Sequence, residues 1–349
     1  MGKNQGAGDH RFCIEEGALE MELSQNHRDL VKVATLYHKE NLKQSEIAKR
    51  LGISRSLVSK YLIDAKHQGI VDIYIKSESA YSVDLELQLE DIFGLTKAVV
   101  LDTSNLRANE IEKIIVQTAI TSYKKDIAKA KTIGLSWGKV LRRFVDEYPY
   151  ENHPDATITP LIGGMGSDYV DIHSNQLAYD FARKLRAKCK FLYAPALVDN
   201  PLIRENLIEN AAIKDVLDTG RNVELAIVGL ASPFSSNNTM TEIGYIGQPD
   251  IDELETCGVI GDINSKFFNA DGQEANCTIN ENVIGVSLED IRRIPKVATI
   301  CYEDTKKEVL YVATETGIFN CVVVTDVLAE YLIAKKKEEN QKARKYQET

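Results

Sequence analysis

Apolar positions follow two periods along this chain, and the change from one to the other divides it. In the first part the period is helical. Ile47, Ala48 and Leu51 recur on one face, and Gly52 follows where a helix ends and a left-handed residue is needed. Ser54 then offers a hydroxyl to the open N–H groups of a second helix that carries Leu57, Val58, Tyr61 and Leu62 on its buried face. Two helices so short cannot bury their apolar faces alone, and the stretch from Leu30 to Tyr37 predicts a third. This is a helix-turn-helix with a three-residue turn. After His67-Gln68-Gly69, apolar residues at 71, 73 and 75 alternate and predict a strand over 70–76, the wing of a winged helix.

A polar connector from Ser77 to Ser82 leads into a helix bearing Leu85, Leu87, Leu89, Ile92 and Phe93. From Lys97 onward, short continuous apolar runs alternate with helix-length stretches. The runs are 98–101, 132–136, 156–162, 191–194, 225–230, 258–263, 283–286, 297–302 and 321–325. Such runs predict a mostly parallel sheet with helices on both faces, an α/β domain. The organisation expected is an extension (1–24), a winged helix-turn-helix (25–76), a linker helix also suited to pairing chains (77–95), an α/β domain (96–335) and a charged tail (336–349). No internal repeat points to a solenoid.

Length agrees with more than one core, since 349 residues exceed what a single core usually serves. No apolar run approaches the ~18 residues of a membrane-spanning helix, and the start lacks the blocks of a signal peptide, so a cytoplasmic protein is expected. Six cysteines are scattered without a C-x-x-C pair, which predicts reduced thiols and no zinc. Charge changes the picture more. From Arg28 to Lys76 there are ten Lys or Arg against five Asp or Glu, while the whole chain carries −10, so the rest carries −15. A basic module on an acidic body suits contact with phosphates at one end, and it marks Ser54, Arg55, Ser56, Ser59 and Lys60 as donors for bases and phosphates in a major groove.

Ligands of open α/β sheets sit beyond the carboxyl ends of the strands. Three loops there are rich in small residues: 134–139, where Ser136 and Lys139 at a helix start suit a phosphate, 161–167 with Gly163 and Gly164, and 228–233. Asp168, Asp171 and His173 have the chemistry of metal ligands, but a polar loop feeding a helix accounts for them more simply, and no metal or cofactor is expected. Trp137 suits stacking on a sugar and suits a core equally. Asp262 suits accepting sugar hydroxyls as well as a turn or cap. Lys306 and Lys307 open a helix, where cations oppose the dipole unless an anion is present.

Together these stretches resemble the SorC family of transcriptional regulators, sometimes grouped with DeoR-like sugar regulators, from about Leu30 to Ile333. The resemblance rests on Gln44-Ser45-Glu46-Ile47-Ala48, Ile53 to Lys60, Gly134-Leu135-Ser136-Trp137-Gly138-Lys139, Gly261-Asp262-Ile263 with Phe267-Phe268, Val283 to Val286, and Thr325-Asp326. It implies a winged helix that binds operator DNA, with Gln44 and Ser45 among the contacting residues. It also implies an effector domain similar to sugar-phosphate isomerases and CoA transferases, a homotetramer, and control by a phosphorylated sugar. Ser136, Trp137, Gly138, Lys139, Gly163, Gly164, His173, Asp262 and Lys306 would line the effector pocket. The chain departs from the family where Cys301-Tyr302-Glu303 replaces Ala-Gly-Gly before the Lys, where Val140 replaces a common Thr, and where Lys60 replaces Arg. Glu303 would repel a phosphate if it faced the pocket, and Lys60 weakens a bidentate contact to guanine. The function expected is a regulator, a repressor, of a carbohydrate operon. The alternative is an isomerase-like enzyme with an accessory basic domain, for which Asp262, His173 or Glu303 would have to supply acid and base.

Overall fold

The computed structural model describes residues 26–71, 79–165, 169–235 and 238–347. The extension 1–24, the wing strand from residue 72 on, Gly166 and Ser167 of the second loop, and the candidate ligand Asp168 lie outside the described residues. The chain divides into two compact units between residues 77 and 78.

In the first unit, helices α1 (26–38), α2 (Gln44–Leu51) and α3 (Arg55–His67) enclose Val33, Leu36, Ile47, Val58 and Leu62. Gly52 ends α2 at φ 67°, and the Ser54 hydroxyl accepts the Leu57 N–H at 3.1 Å to start α3. The buried face of α3 is Val58, Leu62 and Ala65. Leu57 and Tyr61 are only half-buried, because the face turns toward Ala65 by the helical period.

The second unit runs α4 (Ala80–Phe93), β1 (Lys97–Leu101), α5 (Ala108–Lys129), β2 (Thr132–Leu135), α6 (Lys139–Glu147), β3 (Thr157–Pro160), α7 (Ser174–Leu185), β4 (Lys188–Cys189), α8 (Pro201–Ile208), α9 (Ala211–Arg221), β5 (Leu225–Val228), β6 (Leu230–Ala231), α10 (Thr239–Glu242), α11 (Gln248–Thr256), β7 (Val259–Ile263), β8 (Lys266–Asn269), α12 (Thr278–Asn282), α13 (Leu288–Arg293), β9 (Lys296–Cys301), α14 (Lys307–Glu315), β10 (Cys321–Thr325) and α15 (Asp326–Gln347). Seven strands form a parallel sheet in the order β1-β10-β9-β5-β2-β3-β4. Alternate residues serve two cores. Ala226, Val228, Val322 and Val324 face one with α4, α14 and α15, while Leu225, Ile227, Cys321 and Val323 face the other with α5, α6 and α7. Helices therefore cover both faces.

Helix α4 belongs with this sheet. Leu85 and Leu89 are buried against it, and the Glu90 and Glu86 carboxylates accept the N–H groups of Ala98 and Val100, each at 2.9 Å. These bonds occupy the open edge of β1, which would otherwise offer unpaired donors to another strand. Burial pushes the Glu86 carboxyl up, and the Val100 N–H works against that rise.

Two expected strands are absent, and one sheet was not foreseen. Over 191–194 the Leu192 N–H and carbonyl bond to the Asn175 amide at 2.9 and 3.0 Å, so a side chain takes the place of a neighbouring strand. Over 283–286 the backbone makes only isolated bridges, Ile162 with Gly285 and Leu197 with Val283. The run 258–263 does form a strand, β7, but outside the parallel sheet. It pairs antiparallel with β6 and β8 in a separate three-stranded sheet. Asn264 and Ser265 turn the β7–β8 hairpin, both at φ +56°.

Candidate functional site

Strand order reverses between β2 and β5. After β2 the chain builds outward through β3 and β4, and after β5 it builds the other way through β9 and β10. Loops leaving two such neighbours diverge and leave a crevice. A cavity of about 210 Å³ lies there. The loop after β2 contributes Ser136, Trp137, Gly138 and Lys139, the loop after β5 contributes Gly229 to Ala231, β7 contributes Asp262, and the segment after β9 contributes Tyr302, Glu303 and Lys306.

Each wall is held by identifiable bonds. Ser136 Oγ donates to Asn264 Oδ1 at 2.9 Å, and the Asn264 amide donates in turn to the carbonyls of Leu161 and Val286 at 3.1 and 3.2 Å. Trp137 Nε1 donates to Ser265 Oγ at 2.9 Å, with the indole in an apolar cluster beside Met240 and Phe267. Trp137 is thus core, and it ties the β2–α6 loop to the strained β7–β8 turn. Gly138, at φ 122°, precedes α6 in a conformation that side chains rarely adopt, and its N–H donates to the Ile172 carbonyl at 3.1 Å. Gly261 is required by packing, since a Cβ there would lie 2.1 Å from Val309 Cγ1 and 2.8 Å from the Ala231 carbonyl oxygen.

The charged lining is matched pair by pair. Lys139 bonds to Glu242, Lys306 bonds to Glu303, and Glu112 faces Arg143 at 3.2 Å. Asp262 differs. It is 4 % exposed, and its Oδ1 has no hydrogen-bond partner among the described residues. Burial pushes its carboxyl up to about 7, against the pull of Lys306 and of the Ser265 N–H.

Of the residues expected in the effector pocket, Ser136, Trp137, Gly138, Lys139, Asp262 and Lys306 come together here. Gly163, Gly164 and His173 do not line this cavity. A Cβ on Gly163 would lie 2.5 Å from the Pro195 carbonyl oxygen, so close chain packing accounts for that glycine. Gly164 and His173 border a separate hollow with Asn175, Tyr179 and Phe191, and His173 precedes α7. Sequence reasoning missed Glu112, Asn238, Thr239 and Asn264. Asn264-Ser265 between two apolar runs carried a hairpin signal; Glu112 carried none. In the first unit, Ser54, Arg55, Ser56 and Lys60 are exposed at the start of α3, Ser59 is half-buried, and Gln44, Ser45 and Arg55 border a shared hollow. Among the described residues no group of three or more His, Cys, Asp or Glu could hold a metal, and no helix is long and apolar enough to cross a membrane.

Comparison with known proteins agrees with these two parts. The family described as "Putative sugar-binding domain" matches residues 77–334. The sorbitol operon regulator of Klebsiella pneumoniae is 30% identical over 315 residues, covering 90% of this chain and 100% of that protein. Its full-length crystal structure superposes with a TM-score of 0.69 at 29% identity, over 88% of this chain and 98% of that one. A DeoR family transcriptional regulator from Listeria monocytogenes is 45% identical with a TM-score of 0.68, over 72% of this chain and 99% of that one.

Proposed function

Since the chain belongs to the SorC-type family of sugar-responsive transcriptional regulators, we propose that a phosphorylated sugar bound in the cavity between β2 and β5 controls its grip on operator DNA. It is a regulator of sugar metabolism and not an enzyme, as its relatives are. One observation carries the effector reading: a buried carboxylate, Asp262, whose Oδ1 has no hydrogen-bond partner among the described residues, lines a cavity at the point where the strand order reverses. The start of α6, with Ser136 and Lys139, supports an anionic group at one end of the ligand.

Operator contact is assigned to Ser54, Arg55, Ser56, Ser59 and Lys60 on α3, with Gln44 and Ser45 at the start of α2. The local excess of positive charge and the exposure of the α3 start support this. The extension (1–24), winged helix (25–76) and charged tail (336–349) are kept as the sequence gives them, while the helix expected as a linker, α4, is counted with the effector domain on which it packs. The exposed apolar residues Val83 and Leu87 on α4 and Val327 on α15 support assembly of several copies, taken as a tetramer. The regulator works in the cytoplasm as a repressor, and the effector shifts the spacing of paired recognition helices.

A thermal-shift series with sugar phosphates and their unphosphorylated parents tests this reading. A ligand that binds only the native state raises the melting temperature. Stabilisation by a phosphorylated sugar, with altered binding to an operator fragment in its presence, is the expected result. If only unphosphorylated sugars stabilise the protein, the phosphate part of the reading falls.

A further inference from the structure

The cavity has two chemically different ends. One lies over β2, where Ser136, Gly138 and Lys139 meet the start of α6, and there the lysine is paired with a single exposed carboxylate, Glu242. The other lies over β9, where Tyr302, Glu303 and Lys306 share the lining with Asp262, held by the Ala231–Asp262 pairing to β6, which packs on β9. Strand β5 stands between β2 and β9, so the ends are two strand spacings apart, about 10 Å. Lys306 at the second end is bonded to Glu303 three residues before it and lies beside Asp262. A phosphate dianion there would meet two carboxylates for one lysine. A dianion also has no proton to give to Asp262 Oδ1, the buried acceptor that lacks a donor. A sugar hydroxyl has one, and it can accept from Lys306 with its lone pairs.

We propose that Glu303 is a specificity-determining residue: it occupies Lys306 so that the β9 end of the cavity takes the hydroxyls of the sugar and refuses a phosphate. This rests on the reading of the cavity as the effector site, and it orients the effector in it. The phosphate goes to the α6 end and the polyhydroxylated end goes to Asp262 and Lys306. The effector is therefore singly phosphorylated, and a bisphosphate is rejected.

Inorganic phosphate is the probe that isolates the β9 end, because its binding does not depend on which sugar is the effector. Glu303→Gln removes the carboxylate from a partly exposed position, and its melting temperature checks that the fold is kept. Calorimetric titration of the full chain is expected to show an additional phosphate site in Glu303→Gln, tighter by about tenfold or more than any at that end in the wild type. Adding Lys306→Met to Glu303→Gln removes it. Equal phosphate binding in wild type and Glu303→Gln overturns the proposal, and so does loss of wild-type phosphate binding on Lys306→Met alone. Titration with fructose 6-phosphate and fructose 1,6-bisphosphate is a separate arm. Preference of the wild type for the bisphosphate counts against the orientation. Failure of both sugars beside a clear gain of the phosphate site in Glu303→Gln counts against these sugar phosphates as occupants of the cavity and keeps the role of Glu303.

Discussion

Burying the Asp262 carboxyl with no donor for Oδ1 costs stability whenever the group is ionised. In the unfolded chain it titrates near the ordinary 3.8, and in the folded chain at about 7. Between these values the folded state holds more protons than the unfolded one. Stability from this group therefore falls as pH rises from about 4 to 7, by up to about 1.4 kcal/mol per unit, and stays at its lowest above 7. Asp262→Asn removes the titration. Its melting temperature is expected to exceed the wild-type value at pH 8, with the gap closing toward pH 5; a gap that stays constant between these pH values counts against the buried, ionised carboxyl. Trp137 acts at the same scale through one bond. Trp137→Phe keeps most of the apolar contact and removes the donor to Ser265, with an expected loss of about 1–3 kcal/mol in urea unfolding. A loss near zero would mean that the bond to the turn contributes nothing.

At the scale of the element, α4 is decided by what it packs on. Its sequence reads as a connecting helix, yet Leu89 is fully buried and Glu86 and Glu90 close the edge of β1. Leu89→Ala is expected to destabilise the α/β unit by about 2–5 kcal/mol, measured by chemical denaturation. A helix serving only as a spacer would lose a few tenths. The hairpin β7–β8 shows the converse: both strands are apolar and short, and the left-handed Asn264 and Ser265 between them turn the pair away from the parallel sheet. That turn supplies the Asn264 side chain to Ser136 and leaves Asp262 in the cavity wall.

For the whole molecule, charge is divided by function. The segment 28–76 carries a local excess of five positive charges on a chain of net charge −10. Binding to operator DNA should weaken steeply with salt, because each phosphate contact releases counterions. If Arg55 contacts a phosphate, Arg55→Ala is expected to reduce the slope of log K against log salt by about 1. Fluorescence anisotropy over a salt series gives that slope; an unchanged slope and affinity would remove Arg55 from the interface, and relaxed sequence preference at a constant slope would place it on a base.

The helix-turn-helix and the alternation of strands and helices were determined by the sequence alone. Their signals are local: Gly52 ends one helix, Ser54 opens the next, and apolar periods repeat within a few residues. The glycine-rich loops after β2 and β5 were legible for the same reason. Tertiary structure decided which of them meet. Strand order depends on burial between residues far apart in the chain, and only that order sets β5 between β9 and β2, gathers Ser136, Asp262 and Lys306, and leaves Gly163, Gly164 and His173 elsewhere. The presence of the Lys306–Glu303 pair in the cavity wall and the burial of Asp262 with Oδ1 unpartnered follow from that assembly. The pair is local in sequence, but its place beside Asp262 in the cavity, like the burial of Asp262, depends on what the folded chain brings against it.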